Sequence, residues 1–375
     1  MRKGLIALSL VALSAMGLPA RAAATGSIEG RVLDGRNDEP VAGVRVTLTS
    51  GDSEGNTERT VVETDARGRY RFSDLPAGAD HIYALDARYE GGLFPGRALT
   101  IPDNTSEEPV IDTTLKVWPT TTDPDAIVVA RNDLFVVEAE GGNVAVVETV
   151  RLTNTSEDAY IGRGSSMTSE ARTFPSLGFA LPSQAEQERV QIVDSSLDIP
   201  ELLRTDFGFG ITTAIPPGSF SITFAYQVPG VAASYDLSRR MLYPTLNFAL
   251  FASENLKITS NRLDEGEQVE IEGKTYVEHS TSEELEPADP VQVVALADAG
   301  TPAGLLAGMA GALVLVAALG LFPLLRSRRT TREPKRSRED LLTEIAELDL
   351  RHERGEIDDE EWSKRRADLR GRIRS

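Results

Sequence analysis

The sequence predicts a mainly β protein: two extracytoplasmic β-sandwich domains, one transmembrane helix and a short cytoplasmic α-helical hairpin. Three observations lead there. Apolar and polar residues alternate with a period of two in many short stretches between residues 26 and 298, as strands with one buried face require. Residues 304–325, GLLAGMAGALVLVAALGLFPLL, form an uncharged run of 22; at about 1.5 Å per helical residue it is long enough for a bilayer core. Residues 337–375 carry two helix-start signals and a narrow apolar stripe.

The first 22 residues read as a secretory signal peptide. Arg2 and Lys3 precede an apolar run at 4–18, and Ala20-Arg21-Ala22 is a small-x-small cleavage site. The chain has no cysteine. Disulfides, thiol-linked lipid, thiol catalysis and thiolate metal sites are therefore excluded, and exported domains must rest on their cores.

The first domain is expected over 25–117. Ile28, Gly30 and Val32 alternate with Glu29 and Arg31; Val44, Val46 and Leu48 with Arg45 and Thr47; Tyr70 and Phe72 with Arg69 and Arg71. Turn chemistry separates them at Asp34-Gly35, at Asp65 to Gly68 and at Pro76-Ala77-Gly78. Short strands at this spacing suggest a sandwich. Gly68 suits a turn position with positive φ.

Three motifs, Gly26-x-Ile28-x-Gly30-x-Val32, Pro40-Val41-x-Gly43-Val44-x-Val46-x-Leu48 and Thr64-Asp65-x-x-Gly68-x-Tyr70-x-Phe72, resemble the carboxypeptidase regulatory-like domain. The resemblance implies a transthyretin-like β-sandwich of about seven strands. It implies a fold and no catalytic group, since such modules accompany many functions.

A linker is expected at 118–124 and a second, larger sandwich over 124–298. Strands are expected at 127–129, 134–137 and 144–152, with a hairpin turn at Gly141-Gly142-Asn143. Phe220, Ile222, Phe224 and Tyr226 share one face of a strand at 219–228. Further strands are expected at 256–260, 268–271, 274–278 and 291–296. Residues 198–205 read as a helical or irregular excursion, and 283–290 as a surface loop.

Arg326, Arg328, Arg329, Arg332, Lys335, Arg336 and Arg338 follow the apolar run. By the positive-inside rule they place the C-terminus in the cytoplasm and everything before 304 outside, in a bacterial inner membrane crossed once. Gly304, Gly308 and Ala312 put small residues on one helix face, a candidate for close helix–helix approach.

In the tail, Ser337-x-x-Asp340 caps a helix with Leu341, Ile345 and Leu348 in phase, and Gly355 ends it. Asp358-x-x-Glu361 starts a second, with Ile357 and Trp362 as a hydrophobic staple and Trp362, Leu369 and Ile373 as its stripe. The run from Leu342 to Leu369 resembles the short C-terminal hairpin domains of many bacterial membrane proteins. It also resembles the cytoplasmic segment of membrane factors assisting cytochrome c maturation. Those factors' second span and tetratricopeptide-like repeats do not appear here. Trp362 and Leu369 are the tail's candidate interface residues.

Little chemistry is visible. His81, His279 and His352 are far apart in sequence, and no HExxH or HxxE occurs, so the zinc set of a metallocarboxypeptidase is missing. No GxSxG or phosphate-loop pattern appears. The acids Asp264, Glu265 and Glu267 lack EF-hand spacing. With 326–375 and 1–22 set aside, 21 basic and 45 acidic residues remain for the outer region. Such a surface repels nucleic acid. The expectation is a non-catalytic, single-span envelope protein without cofactor or metal. Its outer sandwiches bind or scaffold a partner, and its tail associates with a second copy or a protein partner. The alternative is an accessory assembly factor for a membrane complex, such as the c-type cytochrome maturation machinery.

Overall fold

The computed structural model describes residues 25–103, 109–139, 142–163, 174–271 and 273–297, and in the tail 345, 348, 352, 357–359 and 361–366. Among these, no helix is long and apolar enough to cross a membrane. The signal-peptide residues 1–22, the apolar run 304–325 with Gly304, Gly308 and Ala312, and Leu369 lie outside them. The described architecture is mainly β.

The first sandwich contains β1 (Thr25–Asp34), β2 (Arg45–Asp52), β3 (Thr57–Glu63), β4 (Arg69–Pro76), β5 (His81–Tyr89), β6 (Gly92–Leu99) and β7 (Val110–Val117). They form a three-stranded sheet in the order β4-β1-β7 and a four-stranded sheet in the order β3-β2-β5-β6. The alternating residues Ile28, Val32, Val44, Val46, Leu48, Tyr70 and Phe72 point between the sheets and are buried together, as the period of two demands. Buried tyrosines find acceptors: Tyr70 Oη donates to Thr113 O at 2.9 Å, and Tyr83 Oη to Pro76 O at 2.6 Å. Gly68 has φ of +69°, and Gly30 lies so close to β7 that a Cβ would meet Thr113 O at 1.6 Å. The turn before β4 is closed by Asp65, whose Oδ1 accepts from the N–H groups of Arg67 (2.8 Å) and Arg69 (2.9 Å). These bonds, that of Arg69 foremost, hold the carboxyl down to about 2.

The stretch 118–124 is not a free tether. Trp118 packs on the first core, 6.0 Å from the Phe94 ring. β8 (Thr120–Thr121) then pairs with a strand of the second sandwich. A 3-10 turn, Pro124–Ala126, is capped by Asp123, whose Oδ1 accepts from Asp125 N at 3.1 Å.

The second sandwich follows as β9 (Ile127–Ala139), β10 (Asn143–Asn154), β11 (Ala159–Tyr160), β12 (Leu177–Ala180), β13 (Gln191–Ser195), β14 (Leu202–Thr205), β15 (Gly208–Ile211) and β16 (Gly218–Pro229). It continues with β17 (Ser234–Asp236), β18 (Arg239–Arg240), β19 (Phe248–Ser253), β20 (Leu256–Ser260), β21 (Asp264–Ile271), β22 (Lys274–Ser280), β23 (Pro290–Val291) and β24 (Val293–Ala297). A seven-stranded sheet runs β13-β16-β10-β9-β19-β22-β21. Smaller sheets, β12-β15-β14, β17-β24-β20 and β18-β23, face it. Ile222, Phe224 and Tyr226 do share the core face of β16, with Phe220 partly buried beside them. Of the excursion expected at 198–205, residues 198–201 are irregular, but Leu202–Thr205 is a strand paired antiparallel with β15, and Leu202 packs on the core. Within the loop at 283–290, Leu285 is buried and bridges Thr245, which pins the loop down.

The two sandwiches share structure. Ala159, Ile161 and Ala214 of the second are buried in the core of the first. β11 pairs with β8 in parallel, and Ala214 N donates to Leu93 O at 2.8 Å.

Candidate functional site

The main core of the second sandwich contains a charge. Glu148 of β10 lies in phase with Val144, Val146, Val150 and Leu152, so the pleat turns its carboxylate inward. β18 brings Arg239 to it: Nη1 lies 2.6 Å from Glu148 Oε2. Tyr226 of β16 closes a triangle, accepting from Arg239 Nη2 at 2.6 Å and donating to Glu148 Oε2 at 3.1 Å. Asn132 of β9 donates from Nδ2 to Glu148 Oε1 at 2.9 Å. Arg239 Nη1 also donates to Ala180 O at 3.3 Å.

The electrostatics follow from this geometry. Burial opposes the charge on Arg239, but the adjacent Glu148 carboxylate outweighs it and raises the guanidinium above its ordinary range. Burial, foremost, likewise pushes the Tyr226 phenol well above its usual value. Both carboxylate oxygens of Glu148 are engaged, and the phenol keeps its proton. The group thus has no free base or nucleophile. Arg239 Nε and Asn132 Oδ1 have no hydrogen-bond partner and are closed off from solvent. A cavity of about 40 Å³ lies alongside, with Val129, Leu152, Phe179, Met241 and Tyr243 among its walls. That is room for a few waters. The arrangement is a buried ion pair that ties β18 to β10 and β16, and it costs desolvation to maintain.

The sequence holds one signal for it. A lone glutamate in phase with four apolar residues of a strand must find a cation. Its partner, 91 positions away, is not legible without the register.

The histidines and acids do not gather. Among the described residues no group of three or more His, Cys, Asp or Glu could hold a metal ion. His279 is buried in β22, and burial lowers its pKa against the opposing charge of Glu265. Asp264, Glu265 and Glu267 lie along β21, an exposed, bulged edge strand. In the tail, Trp362 is half-buried and packs on the cluster of Ile345, Leu348 and Ile357. Its ring stacks on His352 at 4.5 Å, and the Arg366 guanidinium lies 5.6 Å from its centroid. His352 Nε2 also meets Asp359 Oδ1 at 2.5 Å. The cap at Asp358 is formed, its Oδ1 accepting from Glu361 N at 2.8 Å. His352 is the tail residue that helix-period reasoning passed over, since a ring stack leaves no trace in an apolar stripe.

Comparison with known proteins identifies the first sandwich. The family model for the carboxypeptidase regulatory-like domain matches residues 27–116. This part of the chain is such a domain, a non-catalytic one. The match does not extend to the tail. No curated protein matches the sequence. Among solved structures, a 9R-lipoxygenase from Cyanothece is 16% identical over 26% of this chain and 18% of its own, with a TM-score of 0.20. The plantain pollen allergen Pla l 1 is 18% identical over 25% of this chain and 94% of its own, also at 0.20. An M1 zinc metallopeptidase from Deinococcus radiodurans is 10% identical over 50% of this chain and 51% of its own, at 0.29. The chain thus spans about half the length of that peptidase and under a fifth of the lipoxygenase.

Proposed function

We propose that this is a non-catalytic, single-span envelope protein whose outer β-sandwiches bind or scaffold a partner and whose cytoplasmic tail mediates association. The observation that carries the reading is the joint between the sandwiches. Ala159, Ile161 and Ala214 sit in the core of the first, beside the β8–β11 pair. Two modules fused this way present one fixed surface, which suits holding a partner in a set position. The span is supported by the charge-free run at 304–325 and the basic cluster after it. The tail is supported by its small apolar cluster around Trp362, which is too limited to be very stable alone. Tethering raises the effective concentration of a neighbouring copy or partner, so weak tail contacts count.

Two measurements test it. External protease on spheroplasts should digest the sandwiches and spare an epitope at Ser375; loss of that epitope without permeabilisation overturns the topology. Crosslinking in native membranes should give a weaker adduct pattern for Trp362→Ala and Gly308→Leu than for wild type. Identical patterns and co-purifying proteins in all three overturn the associating tail.

A further inference from the structure

Edge strands usually carry a device against pairing with other chains, such as a proline, a bulge or a run of like charge. Several edges here do. β6 contains Pro95 and gives a bridge at Leu93 to the second sandwich. β13 is bulged, and β21 combines a bulge with Asp264, Glu265, Glu267 and Glu270. β3 differs. It is the outer strand of its sheet, seven residues long, free of proline, and in unbroken register with β2 from Thr57 to Glu63. No backbone bond reaches its outer edge among the described residues. Its outward face presents Arg59, Val61 and Glu63, which pair with Thr49, Thr47 and Arg45 of β2. Val61 is 52% exposed.

The order of those side chains is self-complementary. Let a second β3 run antiparallel, with the two-fold axis at Val61. Val61 then faces its own copy, Arg59 faces Glu63 of the other chain, and Glu63 faces Arg59. Each Glu63 lies between Arg45 of its own sheet and Arg59 of the neighbour. Moving the axis to Arg59 opposes the two arginines, which is unfavourable. β21, with four acids and no basic residue, offers its own copy no such charge pairing.

We infer that β3 is a self-docking edge: two copies of this chain pair antiparallel about Val61, joining their four-stranded sheets into one of eight. The contact is isologous, as a two-fold dimer requires, and its backbone bonds are those of strand addition. It rests on the first sandwich alone and is independent of the membrane topology and of the tail.

The test uses the full-length chain in native membranes. The sequence has no cysteine, so one introduced thiol is unique. Directly opposed residues of an antiparallel pair have Cα atoms about 4.5–5.5 Å apart, within disulfide reach. Mild oxidation should therefore crosslink Val61→Cys into a dimer. Arg59→Cys should stay monomeric, because the two copies of Arg59 lie roughly 13 Å apart in this register. Adding Arg59→Glu to Val61→Cys should lower the crosslinked fraction about tenfold, as two favourable pairs become repulsive. Adding Glu63→Arg as well should restore it. Three results each overturn the proposal: a maleimide-reactive Val61→Cys that never crosslinks, equal crosslinking of Arg59→Cys, or indifference to the charge reversal. The first excludes the contact, the second indicates random collision, and the third refutes the register.

Discussion

The two sandwiches solve the same problem differently. In the first, buried side chains alternate with more exposed ones over 28–32 of β1, over 45–48 of β2 and along β4 and β5, and the charged side chains stay outside the core. In the second, β10 and β19 are buried on both faces. The seven-stranded sheet carries the main core on one face and a second apolar cluster on the other, where Phe135 stacks on Phe251 at 4.6 Å and meets Tyr276 edge-on at 5.9 Å. It also encloses the Glu148–Arg239 pair. A sheet with one buried face is set in register by its pattern alone, since a slip by one residue turns that face to water. A sheet apolar on both faces loses this cue, and a buried ion pair that forms in one register supplies another.

The comparison breaks first at that pair. Arg239→Met, which strands the Glu148 carboxylate, should destabilise the second sandwich by about 3–5 kcal/mol. Arg239→Met with Glu148→Leu should recover most of this. A double variant as unstable as the single in urea unfolding would show that the site needs its shape more than its charges. In the first sandwich the matching loss is a cavity. Phe72→Ala should cost about 3 kcal/mol, and an unchanged melting transition would refute its inward placement. Tyr70→Phe leaves the Thr113 carbonyl without its side-chain donor and should cost about 1 kcal/mol.

The smallest effects are in pH, and they separate the two regions. Burial lowers His279 below its ordinary 6.5 in the folded state. The unfolded chain therefore takes up the proton first, and the second sandwich loses stability as pH falls below 6.5. His279→Gln should flatten that slope. Asp65 in the first sandwich is held at about 2 against an ordinary 3.8. Its contribution is complete above 3.8 and lost as pH falls from there toward about 2. Domain-specific fluorescence during acid titration should therefore report the second sandwich loosening first.

The same contrast decides what the sequence discloses. Strands at 28–32, 44–48 and 69–72 are legible because each shows one face to water, and Gly68 is legible because its turn needs a positive φ. β20 is legible to the residue for the same reason. β19, FALFAS, escapes detection: with both faces buried it has no alternation, and six apolar and small residues fit a helix equally well. β12 and β15 are four residues each, too short for a period to register. β14 reads as an excursion because Pro200 and Glu201 precede it, and its strand character comes from β15 beside it. Glu148 is visible as an anomaly, while Arg239 becomes meaningful only in three dimensions.

The joint between the sandwiches also has a temporal consequence. A chain synthesised from its N-terminus delivers β1 to β7 first, yet the core they enclose is completed by Ala159, Ile161 and Ala214. Until residue 214 has been made, that core has an open flank and Leu93 O lacks the N–H of Ala214. The first sandwich to be made is thus among the last to be finished, and its maturation is paced by synthesis of the strands that follow it.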